Sequence, residues 1–228
     1  QVGLDILKNG GNAVDAAIAA SAAIGLMEPM SCGIGGDLFA IVWDAKTGKL
    51  YGLNANGRAP LKASRAFFLN QGLEEIPETG PLSWSVPGCV DGWDELRKKF
   101  GTMSFEKILA STIAYAEEGF PVSEVIAASW KASDKKLRSD PGSTRVYLPG
   151  GRAPAAGEVF KNPALARTYR AIAKDGRDAF YKGAIAESLV AFSDRNGGLF
   201  SKEDFARHTS AWVEPVKTNY RGCAVWER

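Results

Sequence analysis

Histidine is almost missing from this chain: His208 is the only one in 228 residues. A histidine-built metal centre or a Ser-His-Asp triad would have to rest on that single ring, which makes both poor readings. Cysteine is scarce too. Cys32, Cys89 and Cys223 form no CxxC pair, and an odd, sparse set argues against a disulfide framework and a structural zinc site. Charge of one sign is also lacking. Lys plus Arg number 28 against 26 Asp plus Glu, a net charge of +2, so neither nucleic acid nor an anionic membrane is expected as partner. No apolar run has the length of a membrane span. Ala13–Met27 comes closest, but Asp15 interrupts it and it is rich in alanine rather than leucine, the pattern of a buried core helix. Internal repeats, low-complexity segments and a Pro/Ser-rich linker are absent as well.

What remains is ordinary globular composition, 45% hydrophobic and 24% charged, with enough apolar surface to offset chain entropy. Residues 1–228 read as a single incomplete domain. The final residues, Cys223-Ala224-Val225-Trp226-Glu227-Arg228, stop inside a strand pattern, as a truncated domain would. The chain opens Gln1-Val2-Gly3 without an initiator Met, so any leader is expected upstream, and the compartment stays open between cytoplasmic and periplasmic or extracellular.

Local patterns predict an α+β chain. Leu4, Ile6 and Leu7 mark a short helix stopped by Gly10-Gly11. Asn12 caps a second, alanine-rich helix that is thin on every face and suited to the core; Pro29 ends it. Leu38–Asp44 and Leu50–Asn54 read as strands joined by a turn with Gly48 at positive φ. Helices are predicted over Val90–Phe100, Phe105–Glu118, from Ser123 toward Leu137, from Pro163 to about Lys174, and over Ala184–Phe192. Ser139–Gly157 reads as an excursion over the surface. Ser201 and Asp204 form an S-x-x-D capping signature. Trp212–Lys217 and Cys223–Trp226 are predicted as strands paired around Asn219–Gly222.

Several blocks stand in a characteristic order. Gly10-Gly11-Asn12-Ala13-Val14-Asp15-Ala16-Ala17 leads to Glu28-Pro29 and then Ser31-Cys32-Gly33-Ile34-Gly35-Gly36-Asp37. Val86-Pro87-Gly88-Cys89-Val90-Asp91-Gly92-Trp93, Ala116-Glu117-Glu118-Gly119-Phe120-Pro121-Val122, Asp178-Ala179-Phe180-Tyr181-Lys182-Gly183 and Gly197-Gly198-Leu199-Phe200-Ser201 follow. Glu214-Pro215-Val216 and Tyr220-Arg221-Gly222 close the series. Each block alone is weak, but together they resemble the large subunit of the γ-glutamyltranspeptidase family of N-terminal-nucleophile hydrolases.

The resemblance implies part of a four-layer αββα fold shared with a small subunit, released from the same precursor by self-cleavage. It implies hydrolysis or transfer of a γ-glutamyl amide, commonly that of glutathione, through an acyl-enzyme on a threonine. That hydroxyl is activated by its own α-amino group, and backbone amides hold the oxyanion. No metal or organic cofactor is implied. Thr47, Thr102, Thr112 and Thr209 lack the Thr-Thr-His context of the self-cleaving site, so the nucleophile is expected downstream and no catalytic residue is assigned in this chain.

The substrate-binding candidates are Arg58 and Asn56, in Leu53-Asn54-Ala55-Asn56-Gly57-Arg58-Ala59-Pro60. Many glutathione-active members of the family place an arginine four residues before the matching proline, where it grips the α-carboxylate of the γ-glutamyl group. Asn56 occupies that place here, and an arginine stands two positions later as Arg58, a form closer to the acylase-like branch of the family. Arg58 is read either as a carboxylate contact, for which a guanidinium fork is suited, or as a surface arginine on a turn. Asn56 either donates to the same carboxylate or sits at positive φ; the Asn-Gly pair favours the turn. Gly33–Gly36 lacks the marks of a phosphate cradle and reads as a tight helix-to-strand connection. Cys32 is expected to be a small buried residue, His208 an exposed polar one, and Asp15 and Asp37 capping or loop-bonding carboxylates. Two alternatives stay open beside γ-glutamyl chemistry: an acylase of the same family acting on another amide, and a non-catalytic scaffold or binding module.

Overall fold

The structure is a computed structural model and describes residues 1–227. In chain order its elements are α1 (Val2–Lys8), α2 (Ala13–Met27), β1 (Leu38–Asp44), β2 (Lys49–Ala55), α3 (Arg65–Asn70), α4 (Cys89–Phe100), α5 (Phe105–Glu118), β3 (Phe120–Pro121), α6 (Glu124–Ala132), α7 (Asp134–Leu137), α8 (Pro141–Tyr147), β4 (Val159–Phe160), α9 (Pro163–Asp175), α10 (Arg177–Tyr181), α11 (Ala184–Arg195), α12 (Lys202–Ala206), β5 (Ala211–Val213), β6 (Val216–Tyr220) and β7 (Cys223–Glu227). Among the described residues, no helix is long and apolar enough to cross a membrane. The chain forms two compact units, each built from two stretches of sequence.

The first unit comprises Gln1–Gly33 and Gly101–Lys174. Its axis is α2, whose alanines leave it slim enough to bury Ala16, Ala19, Ala22 and Ala23 together with Ile18 and Leu26. Asn12 caps it by accepting from Val14 N and Asp15 N at 2.9 and 3.0 Å, and Asp15 returns a bond to Asn12 N at 3.0 Å. Asp15 is fully buried and also accepts from Thr102 N, Thr102 Oγ1 and Met103 N. Burial alone would raise its carboxyl pKa; those hydrogen bonds more than offset it and hold the value below the usual carboxylate range. One side chain thus caps α2 and ties it to the turn before α5. A second cluster gathers Leu26, Ala116, Phe120, Val122, Trp130, Phe160 and Ala166. Trp130 meets Phe160 edge-on at 4.7 Å, and its indole N–H donates to the Tyr147 carbonyl at 2.7 Å, so its polar atom is satisfied inside an apolar setting. The stretch predicted as a surface excursion carries a short helix of its own, α8, opened by Asp140 and Pro141.

The second unit comprises Ile34–Phe100 and the segment from Asp175 to the end of the described residues. Its sheet has the order β1-β2-β5, antiparallel throughout. The β1–β2 register pairs Leu38 with Ala55 at the open end and Asp44 with Lys49 at the turn. The helix α4 packs on β2 so closely that glycine is required. A Cβ on Gly88 would stand 2.1 Å from the Ala55 carbonyl oxygen, and one on Gly92 2.7 Å from Ala55 Cβ. Strand β5 is held at its edge by a ring cluster. Tyr51, Phe100 and Trp212 meet edge-on at 5.3–6.5 Å, and the Lys99 ammonium lies 4.0 Å from the Trp212 centroid and 4.3 Å from that of Tyr51. The run predicted as one strand over Trp212–Lys217 is two. Glu214-Pro215 breaks it because Pro215 has no N–H for a ladder, so β5 joins the sheet while β6 turns back on β7. The β6–β7 hairpin turns at Arg221-Gly222, both at positive φ, +52° and +81°, the geometry of a type I′ turn.

Replacing Asp15 with Ala is expected to destabilise the fold by about 2 kcal/mol, because buried N–H groups lose a charged acceptor. Urea denaturation should show a lower midpoint with an unchanged slope; an unchanged midpoint would mean that the carboxylate contributes nothing net.

Candidate substrate-binding site

Three loops of the second unit come together: Gly35–Asp37 before β1, Asn56–Pro60 after β2, and Trp84–Gly88 before α4. Their backbones are stitched to one another. Gly88 N and Cys89 N both donate to the Gly36 carbonyl at 3.0 Å, and Val86 N donates to the Arg58 carbonyl at 2.9 Å. The Asp37 carboxylate accepts from Gly57 N at 2.6 Å. Gly57 is buried here, and a Cβ on it would fall 2.5 Å from Ser85 Oγ and from the Val86 carbonyl oxygen. The Asn-Gly pair therefore serves close approach of two loops. Neither Asn56 nor Gly57 has positive φ, which corrects the turn reading of Asn56: its exposed backbone N–H instead donates to Asn54 Oδ1 at 3.0 Å.

Arg58 lines a cavity of about 290 Å³ with Ala59, Leu61, Val86, Asp204, Arg207, His208 and Thr209. Asn56 is not among the lining residues. The Asp204 carboxylate is occupied: Oδ1 accepts from Leu61 N at 2.7 Å, and Oδ2 accepts from Ser201 N and Ser201 Oγ at 2.7 Å each. Arg207 pairs with Glu203 at 2.9 Å. Arg58 is exposed, makes a long contact of 3.4 Å to the Thr209 carbonyl, and has no ion pair with a carboxylate among the described residues. The cavity thus presents a guanidinium with no acidic partner among the described residues, while its one acid is engaged by the Leu61 and Ser201 N–H groups and the Ser201 hydroxyl. Such a site favours an anion of carboxylate shape.

Beneath the cavity lies a buried polar cluster that local sequence signals did not reveal. Asp91 of α4 is 3% exposed. It accepts from Arg177 Nε on one oxygen, and from Ser210 N at 2.6 Å and Ser210 Oγ on the other. Arg177 Nη2 donates to the His208 carbonyl, and the guanidinium lies 4.5 Å from the Tyr181 ring centroid. Tyr181 Oη donates to the Pro87 carbonyl at 2.7 Å and accepts from Asp91 N at 3.1 Å. Burial pushes the Tyr181 phenol up. For Asp91, burial would raise the carboxyl, but the bonds from Arg177 and Ser210 and the Arg177 charge outweigh it and hold it below the usual range. The available signal was an aspartate inside Cys89-Val90-Asp91-Gly92-Trp93, where every neighbour is apolar or glycine. Its partners lie 86 and 119 positions away.

His208 is a correction. It is 1% exposed, not a surface residue, and its ring stacks on Tyr181 at 5.3 Å with an 8° interplanar angle. Neither ring nitrogen has a hydrogen-bond partner among the described residues. Cys32 is the opposite correction: it is exposed in its glycine-rich loop.

Comparison with known proteins shows the family. The γ-glutamyltranspeptidase family model matches residues 1–228. The chain belongs to this family. It is 35% identical to the glutathione hydrolase-like YwrD proenzyme of Bacillus subtilis over 228 residues, all of this chain and 43% of that protein. It is 34% identical to the glutathione hydrolase proenzyme of Escherichia coli, over 99% of this chain and 40% of that protein. The chain therefore spans about two-fifths of the length of these relatives. Among solved structures, cephalosporin acylase from Bacillus halodurans superposes with a TM-score of 0.94 at 43% identity, over 99% of this chain and 43% of that one. Helicobacter pylori γ-glutamyltranspeptidase gives 0.93 at 33%, over 99% and 66%. The expected α+β fold of the N-terminal-nucleophile hydrolase class is the one observed.

Burial lowers the His208 pKa from its ordinary value of 6.5; Asp91 pulls the other way, while Arg177 and Arg58 reinforce burial. Below 6.5 the unfolded chain takes up a proton that the folded one refuses. Stability is therefore complete above that pH and falls as the pH drops through it, with a slope approaching about 1.4 kcal/mol per pH unit. Denaturant titrations at pH 7, 6 and 5 should show this fall, and His208→Phe, which keeps the stacking, should flatten it. An identical slope in the variant would assign the effect to other groups.

Proposed function

We propose that this chain is the large-subunit part of an amide hydrolase or acyltransferase that takes a γ-glutamyl group through a threonine acyl-enzyme. The threonine belongs to a small subunit cut from the same precursor. The observation that carries this reading within the family is Arg58: a guanidinium with no acidic partner among the described residues, at a cavity whose acid is otherwise engaged. Its role is to hold the α-carboxylate of the donor. That contact orients the scissile amide for attack by the threonine hydroxyl, whose proton passes through the α-amino group to the departing amine. Water or an acceptor amine then releases the acyl group. The family relatives named as glutathione hydrolase proenzymes support both the donor class and the self-cleaved partner.

A second reading, an acylase acting on a different amide, has its own support. The segment Ser85-Val86-Pro87 turns Val86 toward the Arg58 cavity, while Ser85 and Pro87 line a cleft of about 360 Å³ with Gly35, Trp84, Leu189, Phe192 and Phe200. Trp84 and Phe192 stack at 5.6 Å in its wall. An aromatic cleft beside the carboxylate site suits a bulkier, less polar group than a γ-glutamyl peptide carries. The likeness to cephalosporin acylase and the Asn56 substitution point the same way.

In the full-length processed protein, Arg58→Ala is expected to cost about 2 kcal/mol, or roughly thirtyfold in kcat/KM, on donors that bear the α-carboxylate. The loss on matched donors without it should be much smaller. Arg58→Lys should recover only part, because an ammonium has no fork. Equal losses on both donors would remove Arg58 from substrate recognition, and a γ-glutamyl donor turned over no better than an arylacyl amide would favour the acylase.

A further inference from the structure

We propose that Asp91, Arg177 and Tyr181 are positioning residues for carboxylate recognition at Arg58, acting by bracing both walls of its cavity from below. The inference rests on the role proposed above for Arg58, and it concerns residues that never touch the substrate.

One wall is His208-Thr209, the other is Val86. The first is gripped at both flanks. Arg177 bonds the His208 carbonyl, and Asp91 takes the N–H and hydroxyl of Ser210. Thr209 lies between these two anchors, and its carbonyl is the group that Arg58 Nη2 reaches. The second wall is held through Tyr181, whose hydroxyl donates to Pro87, next to Val86, while accepting from Asp91 N. The Val86 N–H in turn bonds the Arg58 carbonyl. Arg58 is thus fixed by its backbone to one wall and by its side chain to the other, and a single buried cluster sets both.

The chemistry of the cluster suits this task. A carboxylate and a guanidinium buried together are costly unless every polar atom is engaged. Here both Asp91 oxygens have donors, and Arg177 shares its donors between Asp91 and a backbone carbonyl. A guanidinium can serve two acceptors at fixed angles, which an ammonium cannot reproduce. The geometry is therefore rigid, and an Arg58 held by long, exposed contacts inherits its position from it.

The test compares variants in the full-length processed protein, using kcat/KM on matched anilide donors with and without the α-carboxylate. Asp91→Asn should lower the preference for the carboxylate-bearing donor by roughly tenfold, and Ser210→Ala by about threefold, mainly through KM with kcat nearly kept. Arg177→Lys should retain part of the preference that Arg177→Met loses. Where Asp91→Asn does not fold, Ser210→Ala, which deletes one hydroxyl, decides alone. Losses equal on both donors, or a preference unchanged in variants that melt at a lower temperature, would overturn the inference by showing a merely structural role. Arg58→Ala run alongside separates the two ideas. If it loses the preference and the Asp91 and Ser210 variants keep theirs, the positioning role falls and the Arg58 site stands. If Arg58→Ala keeps the preference, the carboxylate site falls and the positioning role falls with it.

Discussion

The candidate site hangs on a buried ion pair. Asp91 and Arg177 lie far apart in sequence, on α4 and α10, and almost none of either side chain reaches water, 4% and 14% respectively. Moving two charges out of water costs several kcal/mol for each ion, and Coulomb attraction alone seldom returns it. The balance is met here because the pair is not alone. Ser210 occupies the second Asp91 oxygen, the His208 carbonyl accepts from Arg177, and the Tyr181 ring offers its face to the guanidinium. The same contacts that satisfy the charges tie α4 and α10 to the stretch His208–Ser210, and His208 and Thr209 of that stretch line the cavity.

The first unit solves a related problem without a cation. Asp15 is equally buried, and hydrogen-bond donors alone hold it ionised: the N–H groups of Asn12, Thr102 and Met103, with the Thr102 hydroxyl. Part of that arrangement is local, a capping box closed within four residues, and part crosses 87 positions. Both units therefore use a buried aspartate as the node that joins a helix to a distant loop. They differ in whether a guanidinium takes part, and the node of the second unit is bonded to the stretch that lines the Arg58 cavity.

Much of the architecture was legible from short-range chemistry. Leu38–Asp44 and Phe105–Glu118 lie where apolar pattern and turn residues placed them, and the Asn12 and Ser201 caps follow from side chains that reach only two or three residues. The misreadings share a cause. His208 looked polar and exposed because its neighbours Arg207 and Thr209 are, yet Tyr181 covers its ring from 27 positions away. Asn56-Gly57 looked like a tight turn because that dipeptide commonly makes one, yet Gly57 is kept small by Ser85 and Val86. Helix α10 is five residues long, too short for a period to show.

By itself, then, the sequence determined the longer helices, the first two strands, the Asn12 and Ser201 caps, and the family, since ordered blocks such as Gly10–Ala17 and Val86–Trp93 survive without any knowledge of contacts. It also singled out Arg58, because an arginine near that proline is visible in one dimension. Tertiary structure alone decided which residues surround Arg58, that Asp204 is already engaged by Leu61 and Ser201, and that Asp91 meets Arg177 and Ser210. The physical reason is range. Capping, turn geometry and periodicity act over a few residues, whereas burial and the pairing of buried charges depend on which distant segments exclude water together.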